Sequence, residues 1–216
     1  VGRNVPIGFV NGADAVERES SAADLAERLG AQLVVYGFLD NTITQTRGSD
    51  LILDFYYKPL VDKGEPSVFA GAMSMGEPLT SRTPLSSSDI ASRGELLDKS
   101  LRRARLLFYI TTGLAWLVNN NTQQAAEIFA NGKLDRANWV QEDGSGGELL
   151  DYFIAQTALI RRDYQTGLDA IDEALRIAPS YANAMILKGG LLLDSAQIYY
   201  VGEWYGLLTE EERLQN

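Results

Sequence analysis

One stretch limits the fold of this chain more than any other: Glu148–Tyr181, which reads ELLDYFIAQTALIRRDYQTGLDAIDEALRIAPSY. Apolar residues recur at three- and four-residue steps on both sides of Asp163-Tyr164, the spacing of two helices divided by a turn. Small residues fall where two such helices would cross, Ala155 in the first and Gly167 in the second. Antiparallel helices approach closely only where the side chains between them are small, and larger apolar groups such as Ile171 then fill the seam. Ala174 continues that face, and Pro179 cannot extend the second helix, so the chain must turn. A hairpin of this kind leaves an apolar face uncovered and needs neighbours.

The chain offers them at a period of about 34 residues. Leu106–Trp139 sets Tyr109, Gly113, Trp116, Ala125 and Phe129 at equivalent positions, with Asn119-Asn120-Asn121 as the turn, so Tyr109 and Trp116 read as core. It departs at Gly132 and has no closing proline, so its second helix is expected to end early. Gln141–Gly147 reads as a flexible insertion. A third unit begins at Ala182, with Met185, Gly189 and Leu192 where a first helix would place them and Lys188 where an apolar residue is usual. After Asp194 the pattern fails, and Tyr199, Tyr200, Trp204 and Tyr205 are bulkier than a second helix would carry. Thr209-Glu210-Glu211-Glu212 offers a cap for one last short helix.

These units resemble tetratricopeptide repeats, the middle one across its whole length. The resemblance implies an all-α array over residues 86–216, with units at 106–139, 148–181 and 182–216, the last atypical or capping. It also implies a groove that holds a protein or peptide. A plain helical hairpin whose small residues coincide by chance accounts for the same pattern.

Residues 1–85 follow another rhythm. Val5–Val10 and Ala31–Gly37 read as strands, Leu51–Tyr57 as a third and Ser67–Met73 as a weaker one. Ser21-Ala22-Ala23-Asp24 has a capping-box pattern and opens a helix that carries Leu25, Ala26 and Leu29 and closes at Gly30. Pro59, Pro66, Pro78 and Pro84 exclude long helices, and the boundary to the helical part is expected within Pro78–Ser88. The expectation is a small α/β domain of about four strands with one helix on a face, and α+β overall. Glu27–Gly37 resembles the helix-to-strand step of TolB-N-terminal-like and FlgO-like bacterial envelope domains. That resemblance implies an assembly role and favours the extracytoplasmic soluble part of a bacterial protein. The chain begins at Val1, which leads us to expect a piece of a longer protein.

Composition narrows the chemistry. The chain of 216 residues carries a net charge of −10, which disfavours nucleic acid and anionic lipid and favours a partner with a basic face. It has no histidine and no cysteine, so Ser-His and Cys-His mechanisms, disulfides and thiolate metal sites are excluded. Ala72-Met73-Ser74-Met75-Gly76 is a loose relative of the nucleophile elbow but lacks a base, and reads as a Gly-rich turn. Asp40, Asp50 and Asp54 flank two strands without the spacing of a calcium loop. No cofactor motif occurs, and Leu106–Val118, the longest apolar run, is shorter than the roughly 20 residues that span a bilayer.

The partner-binding candidates are Arg102, Arg105, Tyr152, Gln156, Tyr181 and Lys188. Arginines on a helix can hold a peptide carboxylate, although on helix surfaces they more often pair with neighbouring acids; the same holds for Arg103, Arg161 and Arg162. Tyr152 and Tyr181 fall toward the expected groove, where aromatic anchors grip partners. The reading is therefore a non-catalytic protein-interaction or scaffold module. Two rivals stand beside it: a small-ligand sensor or enzyme with its site near Asp40, Asp50, Asp54 or Tyr56, and a self-assembly unit that docks its aromatic C-terminus on a copy of itself.

Overall fold

The computed structural model describes residues 9–40, 50–58, 71–80, 90–137 and 146–204. In chain order these form α1 (Ala15–Leu29), β1 (Leu33–Asp40), β2 (Asp50–Tyr57), β3 (Gly71–Ser74), β4 (Leu79–Thr80), α2 (Ile90–Val118), α3 (Thr122–Ala137), α4 (Gly147–Arg161), α5 (Tyr164–Ile177) and α6 (Ala182–Trp204). The architecture is α+β, mostly helical with one small sheet. Among the described residues no helix is long and apolar enough to cross a membrane.

Helix α1 starts earlier than the Ser21 pattern suggests. Asp14 is the cap, its Oδ1 accepting the Glu17 N–H at 2.9 Å, while Glu17 Oε2 accepts the Ala13 N–H at 2.8 Å. This reciprocal pair satisfies donors that Ser21 cannot reach, and Ser21 instead sits inside the helix and accepts from Asn11 N–H. Gly30, at φ 60°, ends the helix as expected.

The sheet is antiparallel throughout. Strand β2 lies between β1 on one side and β3 and β4, both paired to it, on the other. The expected first strand at Val5–Val10 lies largely outside the described residues, and Phe9 and Val10 are not in a strand. The fourth strand is Leu79–Thr80 instead. Between Asp54↔Ser74 and Leu51↔Leu79, the four residues Met75–Pro78 stand opposite only Ile52 and Leu53, so the chain bulges. Gly76 (φ 93°) and Pro78 supply the backbone for this, and Met75 N–H still bonds Leu53 O at 2.8 Å.

Alternation along the strands then sorts the faces. One face carries Val34 and Tyr56, cross-strand partners that pack under Ala22, Leu25 and Ala26 of α1. The other sends Phe55 and Tyr57, with Met75 from the bulge, into a core shared with Leu106 and Ile110 of α2, Phe129 of α3, and Leu149 and Phe153 of α4. The sheet is thus a layer between α1 and the long helices.

The helices form two hairpins and a final single helix. In the first, Gly113 lies directly under the ring of Phe129, where a Cβ would overlap it. In the second, buried Ala155 and Ile171 share a core with Ala174 and, from α6, Ala184 and Leu191. Asp163 caps α5 through Thr166 N–H at 3.3 Å, and α5 ends before Pro179. Three expectations are corrected. Helix α3 does not end early: Gly132 lies within it, buried, because the space a side chain would need is filled by Tyr109 and Leu150. Trp116 is exposed rather than core, since the residues of α2 turned inward there are Gly113, Leu114 and Leu117. Gly146 and Gly147 belong to the start of α4 and are buried, while the rest of the 141–147 insertion lies outside the described residues.

In α6 the side chains expected to pack are the ones facing out. Met185 and Leu192 are about half exposed, and nothing lies within 4 Å of where a Cβ on Gly189 would sit. No second helix follows α6 among the described residues to cover that face. Tyr205 and the 209–212 cap lie outside them, as do the Ser86–Asp89 caps.

Candidate functional site

The bulge, the first turn of α4 and the α5–α6 turn enclose a cleft of about 420 Å³. One wall is Ala72–Ser74 with Gly76–Pro78; the opposite wall is Glu148, Leu149, Ala178, Ser180, Tyr181 and Asn183. Gly146 allows the walls to meet. It holds φ 94°, which favours glycine, and a Cβ there would come within 3.2 Å of the Met75 carbonyl.

Glu148 lies in the first turn of α4, 8% exposed, with Oε2 accepting the Gly146 N–H at 2.7 Å. Burial pushes its carboxyl above the ordinary glutamate range, opposed by that N–H and by the Arg103 guanidinium. Tyr181 is positioned by the turn hydrogen bond from its N–H to Ala178 O and by ring contact with Tyr152 at 5.5 Å between centroids. Its phenol is pushed well up by burial and then by Tyr152. Gln156 Nε2 donates to Tyr152 Oη at 2.7 Å, while Gln156 Oε1 is buried without a hydrogen-bond partner. Turning the amide over would leave its NH₂ orphaned instead, so this chain of tyrosine, tyrosine and glutamine has one unanswered polar group in either orientation.

Of the residues singled out in the sequence, Tyr152, Gln156 and Tyr181 are therefore brought together, and Tyr181 lines the cleft. The cations are elsewhere, each beside an acid of its own chain: Arg102 with Asp98 at 2.6 Å, Arg105 with Asp135 at 2.5 Å, and Lys188 with Asp172 at 2.6 Å. Arg161 lines a second groove of about 360 Å³ between α3 and α5, with Lys133 and an apolar floor that includes Phe129 and Ile154. Arg162 ends α4 at φ 59°. Arg103 is buried between the sheet and α4, near Met75 and Gly146.

Glu148, Glu77 and Asn183 were not anticipated, and Ser74 enters the sequence reading only as part of a Gly-rich turn. An acid opening an apolar helix run was the one visible hint, and it marks Glu148 as a helix-start residue rather than a cleft residue.

The residues proposed for cation binding or a sensor site are not among those lining the cleft or the second groove. Asp40 and Asp50 are direct cross-strand partners and Asp54 faces Tyr36, yet neither the cleft nor the second groove includes any of these. Among the described residues, no three such acids are close enough to hold a metal ion. Asp54 is raised by burial, against a hydrogen bond from Ser74 and the charge of Arg18, and Tyr36 beside it is pushed up to about 12. Ser74 sits at a strand-to-bulge junction, without the helix that follows a nucleophile elbow. No family model, curated protein or solved structure matches the chain.

Proposed function

We propose that the protein is a non-catalytic recognition module, in which tetratricopeptide-like helices and the small sheet together hold a segment of another protein. The observation that supports this reading is the cleft: it lies where the first helices α4 and α6 meet the sheet, and its walls mix apolar surface with a few convergent polar groups. The tetratricopeptide likeness is supported by the equivalent small-under-large contacts of the two hairpins, Gly113 under Phe129 and Ala155 with Ile171. The net charge of −10 favours a basic segment.

A photo-crosslinking residue placed at Ser180, on the cleft rim, tests the reading against the same residue at Leu134, exposed on α3. A discrete product from position 180 and none from 134 is expected. Equal labelling from both would remove the cleft from consideration.

The face of α6 that is exposed among the described residues favours a second reading, self-association. Ile186 and Leu193 are more than 70% exposed and flank Gly189 and Gly190 almost evenly, so two copies crossing there in antiparallel would set Ile186 of one against Leu193 of the other. Mass measured across a concentration series would rise under this reading and fall back in Ile186→Glu.

A further inference from the structure

Resting on the recognition reading, the geometry points to a specific kind of occupant: we propose that the cleft takes an extended peptide strand laid along the outer edge of β3, with Glu148 and Glu77 selecting a lysine or arginine side chain on it.

Three observations converge. The first is the edge itself. Among the described residues β3 pairs only with β2, through Gly71↔Tyr57 and Phe55↔Met73, and the next inward donor is Met75 N–H, bonded to Leu53 O. Backbone groups along a strand alternate sides, so Ala72 and Ser74 turn theirs outward. Ala72 N–H confirms the direction by donating to Glu19 Oε1 of α1 at 3.1 Å. That leaves Ala72 C=O and both groups of Ser74 facing outward, and Ser74 is exposed. An open edge of this kind is what an added strand pairs with.

The second is the opposite wall. A lone edge strand with a bulge beside it is usually protected against pairing, and β3 is short. Here the edge does not face open water but a cleft of about 420 Å³ closed by Leu149, Ala178 and Tyr181. A strand entering it would pair on one side and bury alternate side chains against that apolar wall on the other. The bulge and Pro78 end the pairing, which limits the match to a short register.

The third is charge. Glu77, exposed, and Glu148, buried, stand on the two walls; burial and then the charge of Glu77 push the Glu148 carboxyl up, against the Gly146 N–H and the Arg103 guanidinium. A cationic side chain between them is the complement that offsets both that repulsion and the burial of Glu148.

The test uses the whole chain and fluorescein-labelled pentapeptides read by anisotropy. The first probe alternates valine and lysine; the second replaces lysine by norleucine; the third keeps lysine but carries an N-methyl group on its central amide. Glu148→Gln preserves shape and can still accept from Gly146 N–H, so folding is retained and is checked by thermal melt. The expected result is that this variant weakens the lysine peptide about tenfold, the scale of one charge-assisted hydrogen bond, and leaves the norleucine peptide unchanged. N-methylation is expected to weaken binding to the wild type by a similar factor. Equal binding of the N-methylated probe would overturn strand addition, and indifference to Glu148→Gln would overturn cation selection. A Ser180→Trp variant, which fills the rim, separates the two levels. If it blocks every peptide while the other two contrasts are flat, the cleft reading stands and this inference fails. If the peptides bind alike with and without the tryptophan, the cleft itself is not the site.

Discussion

Replacing Gly113 by alanine asks whether the close helix crossing is what the first hairpin depends on. The new Cβ would overlap the ring of Phe129. That ring has no room to yield: it is fully buried and stacks on Phe153, itself fully buried, at 6.1 Å and 15°. Overpacking a closed core costs about 1–3 kcal/mol, and a ring held on both faces belongs at the upper end. Against this, alanine in a helix interior gains about 1 kcal/mol over glycine. The net expectation is a loss of about 2 kcal/mol. Gly189 is the internal control, because it lies in α6 at the matching position with nothing within 4 Å of its added Cβ. There only the propensity term acts, so Gly189→Ala should gain up to about 1 kcal/mol. Urea unfolding measures both, and the midpoints should move in opposite directions with unchanged slope. Adding Phe129→Leu to Gly113→Ala should cost less than Phe129→Leu alone costs the wild type, since the smaller side chain removes the clash. If Gly113→Ala is as stable as Gly189→Ala, the packing argument is wrong.

Further outcomes follow from the charged groups. Asp151 is fully buried and bonded to Arg136 at 2.6 Å, and Arg136 also donates to Gly147 O, so Arg136→Met should cost about 3–5 kcal/mol in a denaturant titration. A cost under about 1 kcal/mol would mean that Lys133, 3.8 Å from Asp151, already compensates. Lys188→Ala, which removes an exposed ion pair, should change stability by less than about 1 kcal/mol. Glu148 sets a pH dependence. Its folded pKa is raised, so between the ordinary glutamate value and the folded value the native state keeps a proton that the unfolded chain has lost. Its contribution to stability therefore falls as pH rises through that window, and melts of Glu148→Gln should lack this part of the slope.

The helical half was legible because its signals are local. Asp163 capping α5, Pro179 stopping the chain after it, and Gly113 under Phe129 each act within a single hairpin, at spacings a periodic reading detects. The errors arose where a local rule met a tertiary contact. Gly132 looks like a helix stop, yet the ring of Tyr109 occupies the space its side chain would need, so it is a packing glycine. Ser21 looks like a cap, but Asp14 and Glu17 form a better one seven residues earlier. Trp116 looks like core by alignment, and stays exposed because the residues of α2 turned inward there are Gly113, Leu114 and Leu117.

The cleft was not legible for a different reason. Its walls come from residues that are ordinary in their own segments: Ser74 ends a short strand, Glu148 starts a helix, and Tyr181 follows a proline turn. They face one another only because Phe55, Tyr57 and Met75 enter the same core as Leu106, Leu149 and Phe153. The signal for that lies in the bulge, where two extra residues in β2's partner drive Met75 inward and leave Gly76 and Glu77 on the cleft side. Sequence showed those residues as a Gly-rich turn but was silent on what the turn would face, and Met75 within it is 5% exposed. The same contact ties the shape of the cleft to the stability of the core. Met75 and Leu149 belong to the shared core, while Leu149 and the bulge beside Met75 also form the two cleft walls, so the width of the cleft is fixed by core packing rather than by a hinge.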